Sequence, residues 1–238
     1  MATPAAKTFV LVHGAWHGGW CWRRVADLLE RQGHKVFTPT LTGLGERSHL
    51  MSKDIRLTTH VTDVVNHMKW EGVEGVVLCG HSYGGMVVSG AAEQMAGKIG
   101  SIVFLDAFVP HNGEAVTDLT GPATLDLLRA AQAKGEIGIP ARTAASFTVN
   151  EKDRAWVDAM CVPQPINTFL DKMALSGARD RIAKKSYIRA LHNANPGFDK
   201  AMARAKADAS WRTYEVACGH DVMVDMPGRL TEILLEVA

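Results

Sequence analysis

The sequence predicts an α/β fold: a mainly parallel central sheet flanked by helices, with a small helical insertion. Two observations carry this expectation. Short apolar, β-branched runs alternate with stretches of helical periodicity, and that alternation breaks near residue 110 and resumes near residue 185. Residues 9–12, Phe-Val-Leu-Val, read as a buried strand ending at His13-Gly14. Residues 22–31 carry Val25, Leu28 and Leu29 at helical spacing, with Gly33 as a stop signal. A second strand covers 35–38 and closes at Pro39, and a glycine-rich loop spans 42–48. A helix is expected over 58–69, a third strand over 75–79 and a helix over 86–95. The fourth strand, 102–105, ends at Asp106. Such runs, apolar throughout, suit strands buried on both faces of a parallel sheet.

From 110 to about 177 only helical patches remain, at 125–132 and 156–160, and Pro140, Pro163 and Pro165 interrupt them. This stretch reads as a cap inserted at about 111–180 into a single domain of residues 1–238. Strands at 185–190 and 211–216 and a helix at 231–237 complete the chain.

Composition narrows the function. With 26 basic and 25 acidic residues the net charge is +1, which supplies no electrostatic attraction for nucleic acid or an anionic membrane. No apolar run reaches the roughly 20 residues needed to span a bilayer. Residues 1–7 do not read as a secretory signal, and the four cysteines form no C-x-x-C pair. The expectation is a cytoplasmic protein with free thiols and no metal centre.

Chemistry concentrates at three places. Gly80-His81-Ser82-Tyr83-Gly84 fits G-x-S-x-G between a strand and a helix of small residues. That strand–turn–helix setting separates a nucleophile elbow from a serine that merely caps a helix, and it implies the α/β-hydrolase fold. An acyl-transfer site needs two backbone N–H groups for its oxyanion, and Ala15, in the loop after the first strand, and Tyr83, after the serine, occupy the required positions. Among ten histidines, His220 follows a late strand and precedes the final helix, where the base of this fold stands. His13 is expected to orient the oxyanion loop, and the His81 side chain to point away from the hydroxyl. His17, His49, His60, His111 and His192 read as surface or packing residues.

The acid is open. No carboxylate follows the strand at 185–190, where Asn193 stands. Asp106 is favoured, because a bare aspartate at the buried end of a central strand is costly unless paired. Asp199, Asn193 or no acid at all are the alternatives, and Asp221 is too close to His220 in sequence to serve it. Trp16, Phe108, Trp156 and Met160 are expected to line an apolar substrate pocket, with Phe147 and Phe169 as further candidates.

Taken together, these residues resemble the plant methylesterase and hydroxynitrile lyase group of α/β hydrolases, with related bacterial pyrethroid-hydrolase-like carboxylesterases. The resemblance rests on Val12-His-Gly-Ala-Trp-His-Gly-Gly-Trp20, Leu41-Thr-Gly-Leu-Gly-Glu-Arg-Ser48, Gly80-His-Ser-Tyr-Gly-Gly85, Ala107-Phe-Val-Pro110 and Gly219-His220. It implies Ser82 and His220 as catalytic residues and Ala15 and Tyr83 as oxyanion donors. It also implies a small-molecule ester as substrate, no cofactor, and, by analogy, a homodimer. Two departures stand out: the family's usual aspartate falls near Asn193, and the lysine that follows the histidine in the lyases is replaced by Asp221. The expected activity is therefore a serine carboxylic ester hydrolase for small to medium apolar or aromatic esters. A lyase or cofactor-free C–C cleaving enzyme, and a non-catalytic small-ligand receptor on the same fold, are the alternatives.

Overall fold

The computed structural model describes residues 5–238. β1 (Thr8–Val12) passes through a 3-10 turn at Gly19–Trp22 into α1 (Arg23–Glu30) and β2 (Lys35–Phe37). α2 (Leu57–Trp70), β3 (Val76–His81), α3 (Gly84–Met95) and β4 (Ile99–Leu105) follow. The next segment contains α4 (Val116–Thr120), α5 (Pro122–Ala133), β5 (Gly138–Ile139), α6 (Arg154–Met160), β6 (Gln164–Pro165) and α7 (Asn167–Leu170). β7 (Lys184–Ala190), α8 (Pro196–Ala207), β8 (Trp211–Val216), α9 (Val222–Asp225) and α10 (Pro227–Glu236) end the chain.

Six strands form one parallel sheet in the order β2-β1-β3-β4-β7-β8. Successive side chains of a strand face opposite sides. In β1, Phe9 and Leu11 therefore join a core with Val25 and Leu29 of α1 and Leu230 and Leu234 of α10. Val10 and Val12 enter the opposite core with Val61 and Val64 of α2, Val87 and Ala91 of α3, and Phe198 of α8. β3 is buried along its whole length, whereas the edge strands β2 and β8 are partly exposed. The segment between β4 and β7 adds no strand to this sheet; β5 and β6 pair only with each other, antiparallel. None of the described helices is long and apolar enough to cross a membrane.

The structure extends the sequence reading at several elements, two of which bear on the site. β3 runs on to His81 because that residue pairs with Leu105. α8, for which no helix was expected between the last two strands, begins at an Asn195 side chain that accepts from the Gly197 and Phe198 amides, with Pro196 in the first turn. That is a strong start signal, and Phe198, Ala201, Met202 and Ala205 form its buried face.

The register decides where the site lies. Val12 pairs with Gly80 and His81 with Leu105, so β1, β3 and β4 end side by side. The loops that follow carry Ala15, Ser82 and Asp106. β7 and β8 are level at Ala190 and Val216, which brings the loops of Asn193 and His220 to the same edge. Ligands in open α/β sheets bind at this carboxyl end.

Candidate active site

Ser82 sits at the bend between β3 and α3 in the left-handed region, with φ 54°. A non-glycine residue there is strained, and the strain persists because the surroundings enforce it. The Ser82 amide donates to Leu105 O at 3.1 Å, and its carbonyl accepts from Gly85 N and Phe108 N. Gly84 permits the sharp turn: a Cβ on it would stand 2.8 Å from the carbonyl oxygens of both Val12 and His13. Among the described residues, the other non-glycine residues with positive φ are Trp16, Asp106 and Thr148. Trp16 and Thr148 share the wall of one cavity with Ser82 and His220.

His220 is buried, and its Nδ1 lies 2.7 Å from Asp106 Oδ2. An ionised carboxylate only accepts, so Nδ1 carries the proton and Nε2 keeps its lone pair. Asp106 is fully buried and surrounded by donors. Asn193 Nδ2 donates to Oδ2 at 2.7 Å, and Arg189 Nη1 and the Ala190 amide donate to Oδ1 at 2.6 and 3.1 Å. Those bonds answer the desolvation cost that made a bare aspartate here conspicuous. Asp199 does not reach the histidine; it accepts from Arg189 Nε and Nη2 at 2.9 and 2.8 Å. Asn193 stands 3.1 Å from His220 Nδ1 but serves as a prop for Asp106.

The histidine loop is pressed against the segment after β5. His220 N donates to Phe147 O at 2.9 Å, and a Cβ on Gly219 would fall 2.2 Å from Thr148 O. Only glycine fits that approach.

Ala15 and Tyr83 both line the cavity beside Ser82. Among the described residues neither of their amides donates to a protein acceptor, whereas the adjacent Trp16 amide is taken by Gln164 Oε1 and the Ser82 amide by Leu105 O. Two free N–H groups next to a serine are what an oxyanion requires. His13 braces this loop: Nδ1 donates to Gly14 O at 2.8 Å, and Nε2 accepts from Leu41 N at 3.0 Å. Burial pushes its pKa down to about 3, so the ring is neutral, as that pairing demands. His60 is likewise neutral, its pKa lowered to about 4 by burial, and binds the Tyr83 hydroxyl at 2.9 Å.

The cavity has a volume of about 580 Å³. Trp16 and Phe108 line it as expected, and so do Phe147 and Phe169. Trp156 and Met160 do not. Val157 is the residue of α6 that enters the core, which turns Trp156 toward Trp20, at 5.0 Å between ring centroids, and under Arg24; Met160 is 38% exposed. Apolar spacing marks a helix but does not say whether its inner face meets a cavity or a core. Sequence reasoning missed Val116, Leu128 and Ile139 of the wall, and Phe198 on the unanticipated α8.

His17, read as a surface or packing residue, is buried in a polar network behind the oxyanion loop. Nδ1 lies 2.8 Å from Ala15 O and Nε2 3.1 Å from Asp221 Oδ2. Burial opposes a charge on His17, but the Asp221 carboxylate overcomes it and raises the pKa above the usual value. Burial likewise opposes the charge on Asp221, yet the cationic His17 holds its pKa well below the carboxylate range. His81 turns away from the cavity, as expected, with Nε2 against His220 O at 3.1 Å. His81, His220 and Asp221 place potential ligand atoms within 4.8 Å of one another, but Asp106 and His17 already engage two of the three.

This arrangement of sheet, elbow and histidine loop agrees with what the chain is similar to. The profile of the alpha/beta hydrolase family matches residues 9–233. A carbendazim hydrolyzing esterase from Nocardioides sp. (strain SG-4G) is 41% identical over 241 residues, covering 95% of this chain and 97% of that protein. A putative chloroplastic methylesterase 13 from Arabidopsis thaliana is 28% identical over 98% of this chain, which spans 56% of its length. Among solved structures, an extracellular alpha/beta-hydrolase from a Paenibacillus species superposes with a TM-score of 0.86 at 24% identity, covering 98% of this chain and 99% of that one. The chain belongs to the alpha/beta hydrolase family. Its kinship places it among the esterases of that fold.

Proposed function

We propose that the protein hydrolyses small to medium apolar or aromatic carboxylic esters through an acyl-enzyme on Ser82. The observation that supports this most is the buried Asp106–His220 contact of 2.7 Å, with Ser82 held at a strained bend in the wall of the same cavity. His220 Nε2 takes the hydroxyl proton as Ser82 Oγ attacks the ester carbonyl carbon. The Ala15 and Tyr83 amides donate to the resulting oxyanion. As the intermediate collapses, His220 returns the proton to the leaving alcohol. Water, deprotonated by the same imidazole, then attacks the acyl carbon; the bond to Ser82 Oγ breaks, His220 returns the proton to that oxygen, and the acid leaves.

The aromatic walls favour an acyl or alcohol portion with a flat apolar surface. Carbendazim, which names the Nocardioides relative, is accordingly the first compound to assay. We assign residues 111–180 as a cap that supplies much of the cavity wall, through Val116, Leu128, Ile139, Phe147 and Phe169. The four free cysteines suit a cytoplasmic setting, and the resemblance suggests a homodimer, which gel filtration tests. The deciding experiment for activity is a series of p-nitrophenyl esters of increasing acyl length with the wild type and Ser82→Ala. The reading expects a rate maximum at one length and loss of turnover in the variant; an active Ser82→Ala protein contradicts it.

A further inference from the structure

Arg189 stands directly against the acid of the serine–histidine site. Its side chain is 6% exposed and donates to Asp106 Oδ1 at 2.6 Å, on the oxygen opposite His220. A cation on the acid competes with the imidazolium for the same negative charge. An unmitigated guanidinium there makes His220 a weaker base. The structure supplies the mitigation. Asp199, on the first turn of α8, accepts from Arg189 Nε and Nη2 through a single oxygen, and its own side chain is 64% exposed. The remaining guanidinium hydrogen bonds go to the carbonyls of Ala190 and Asn193, both at 2.6 Å, and the group lies over the Phe198 ring, 6.0 Å from its centroid. Arg189 therefore locks the loop that carries Asn193 while it holds the acid.

We propose that Arg189 and Asp199 are positioning residues that set the basicity of His220 through Asp106. Arg189 pairs with Asp106 Oδ1 and leaves Oδ2 aimed at the imidazole, and Asp199, paired with the same guanidinium, offsets its charge at the acid. The groups facing His220 from other elements are Asp106 after β4 and His81 at the end of β3; on its own loop it adjoins Asp221, which His17 neutralises. Tyr187 and Cys218 lie near Asp106, and burial raises the pKa of both, so neither carries charge in the working range. Of the charges around the acid, Asp199 is the one open to solvent, and it can be altered without disturbing the core.

The inference rests on the triad assigned above, so the test separates the two. The readout is the acid limb of the kcat/KM–pH profile for a p-nitrophenyl ester at low ionic strength, where a partly exposed charge is least screened. Asp199→Asn keeps an oxygen to accept from Arg189 but removes the negative charge. The imidazolium loses stabilisation, so the limb moves to lower pH. Arg189→Met removes the cation, so the limb moves to higher pH, and kcat falls as Asp106 loses a donor. Opposite shifts from the two variants are not what a merely structural role produces. An unshifted or upward-shifted limb in Asp199→Asn overturns the proposal, and that variant decides the matter if Arg189→Met does not fold. Labelling of Ser82 by a phosphonate ester in the same preparations reports on the triad itself: labelled Ser82 with an unmoved limb sinks only the positioning role, whereas absence of labelling sinks the esterase reading.

Discussion

Replacing Asp106 by asparagine tests the acid assignment quantitatively. The carboxylate is fully buried and 2.7 Å from His220 Nδ1. During attack His220 becomes an imidazolium, with its charge centred about 4 Å from the carboxylate. At an effective dielectric of about 20, that interaction is worth about 4 kcal/mol. At 1.36 kcal/mol per decade it corresponds to roughly a thousandfold in rate. Asparagine also presents an amide to Nδ1, which can favour the tautomer with no lone pair on Nε2 and deepen the loss. The same change strips Arg189 of one of its two carboxylate partners, leaving Asp199. Truncating one member of a buried pair costs about 3 kcal/mol of stability. The assay is kcat/KM on a p-nitrophenyl ester, with circular dichroism and thermal unfolding run beside it to show that the variant is folded. A loss of two to four decades in a folded protein fits the argument. A folded Asp106→Asn enzyme within about tenfold of wild type would mean that the acid is not catalytically engaged.

Further predictions follow from individual contacts. Trp156→Ala should leave kcat/KM unaltered while lowering Tm, because that ring packs on Trp20 and Arg24 outside the cavity; an altered ester preference would contradict the placement. Leu128→Ala, on the buried wall, should move the optimum of the acyl-length series toward longer acids, and an unchanged optimum would show that this wall does not meet the acyl group. The Asp153 carboxyl is held at about 2, chiefly by its hydrogen bonds from Arg24. A lowered folded pKa contributes stability above the unfolded value of about 3.9 that disappears as pH falls through the folded value. Arg24→Met should therefore cost about 1 kcal/mol at pH 7, allowing for solvent screening of the half-exposed arginine, and nearly nothing at about pH 2. Equal Tm differences at the two pH values would refute that. For His17 the sign reverses. Its raised pKa gives stability that is complete below about 6.5 and lost as pH rises through the folded value. Nitrogen NMR should show both ring nitrogens protonated at pH 7, facing Ala15 O and Asp221; a neutral ring would contradict the pairing.

Some of this was legible in the residues and some was not, for physical reasons. Ser82 was readable because an elbow needs a strand, a tight turn and a helix in succession, all local in sequence. His220 was readable from its place after the last strand. Asp106 was readable from a cost: a carboxylate at the end of a buried strand demands partners. What the partners were was not legible. Arg189 lies 83 residues from Asp106, and His17 lies 204 residues from Asp221; both pairs exist only because parallel strands bring distant loops to one edge. Nothing local distinguishes such an arginine from a solvated one. Helix α8 did leave a signal, Asn195-Pro196 before residues spaced for burial, and with it came Phe198 of the cavity wall. Trp156 and Met160 misled because apolar content indicates burial and says nothing about the neighbour. The cap wall was the least legible part, since its short helices and two-residue strands have little periodicity to read.

The central claim is that Ser82 attacks carbon with His220 as its base. The most direct measurement is intact-protein mass spectrometry of acid-quenched samples taken in the first turnover of a p-nitrophenyl ester, followed by peptide mapping. The account predicts one acyl adduct per chain, on the peptide containing Ser82, which forms with release of nitrophenolate and is greatly slowed in His220→Ala. Adducts on another residue, or Ser82 acylated as fast in His220→Ala as in the wild type, would contradict it.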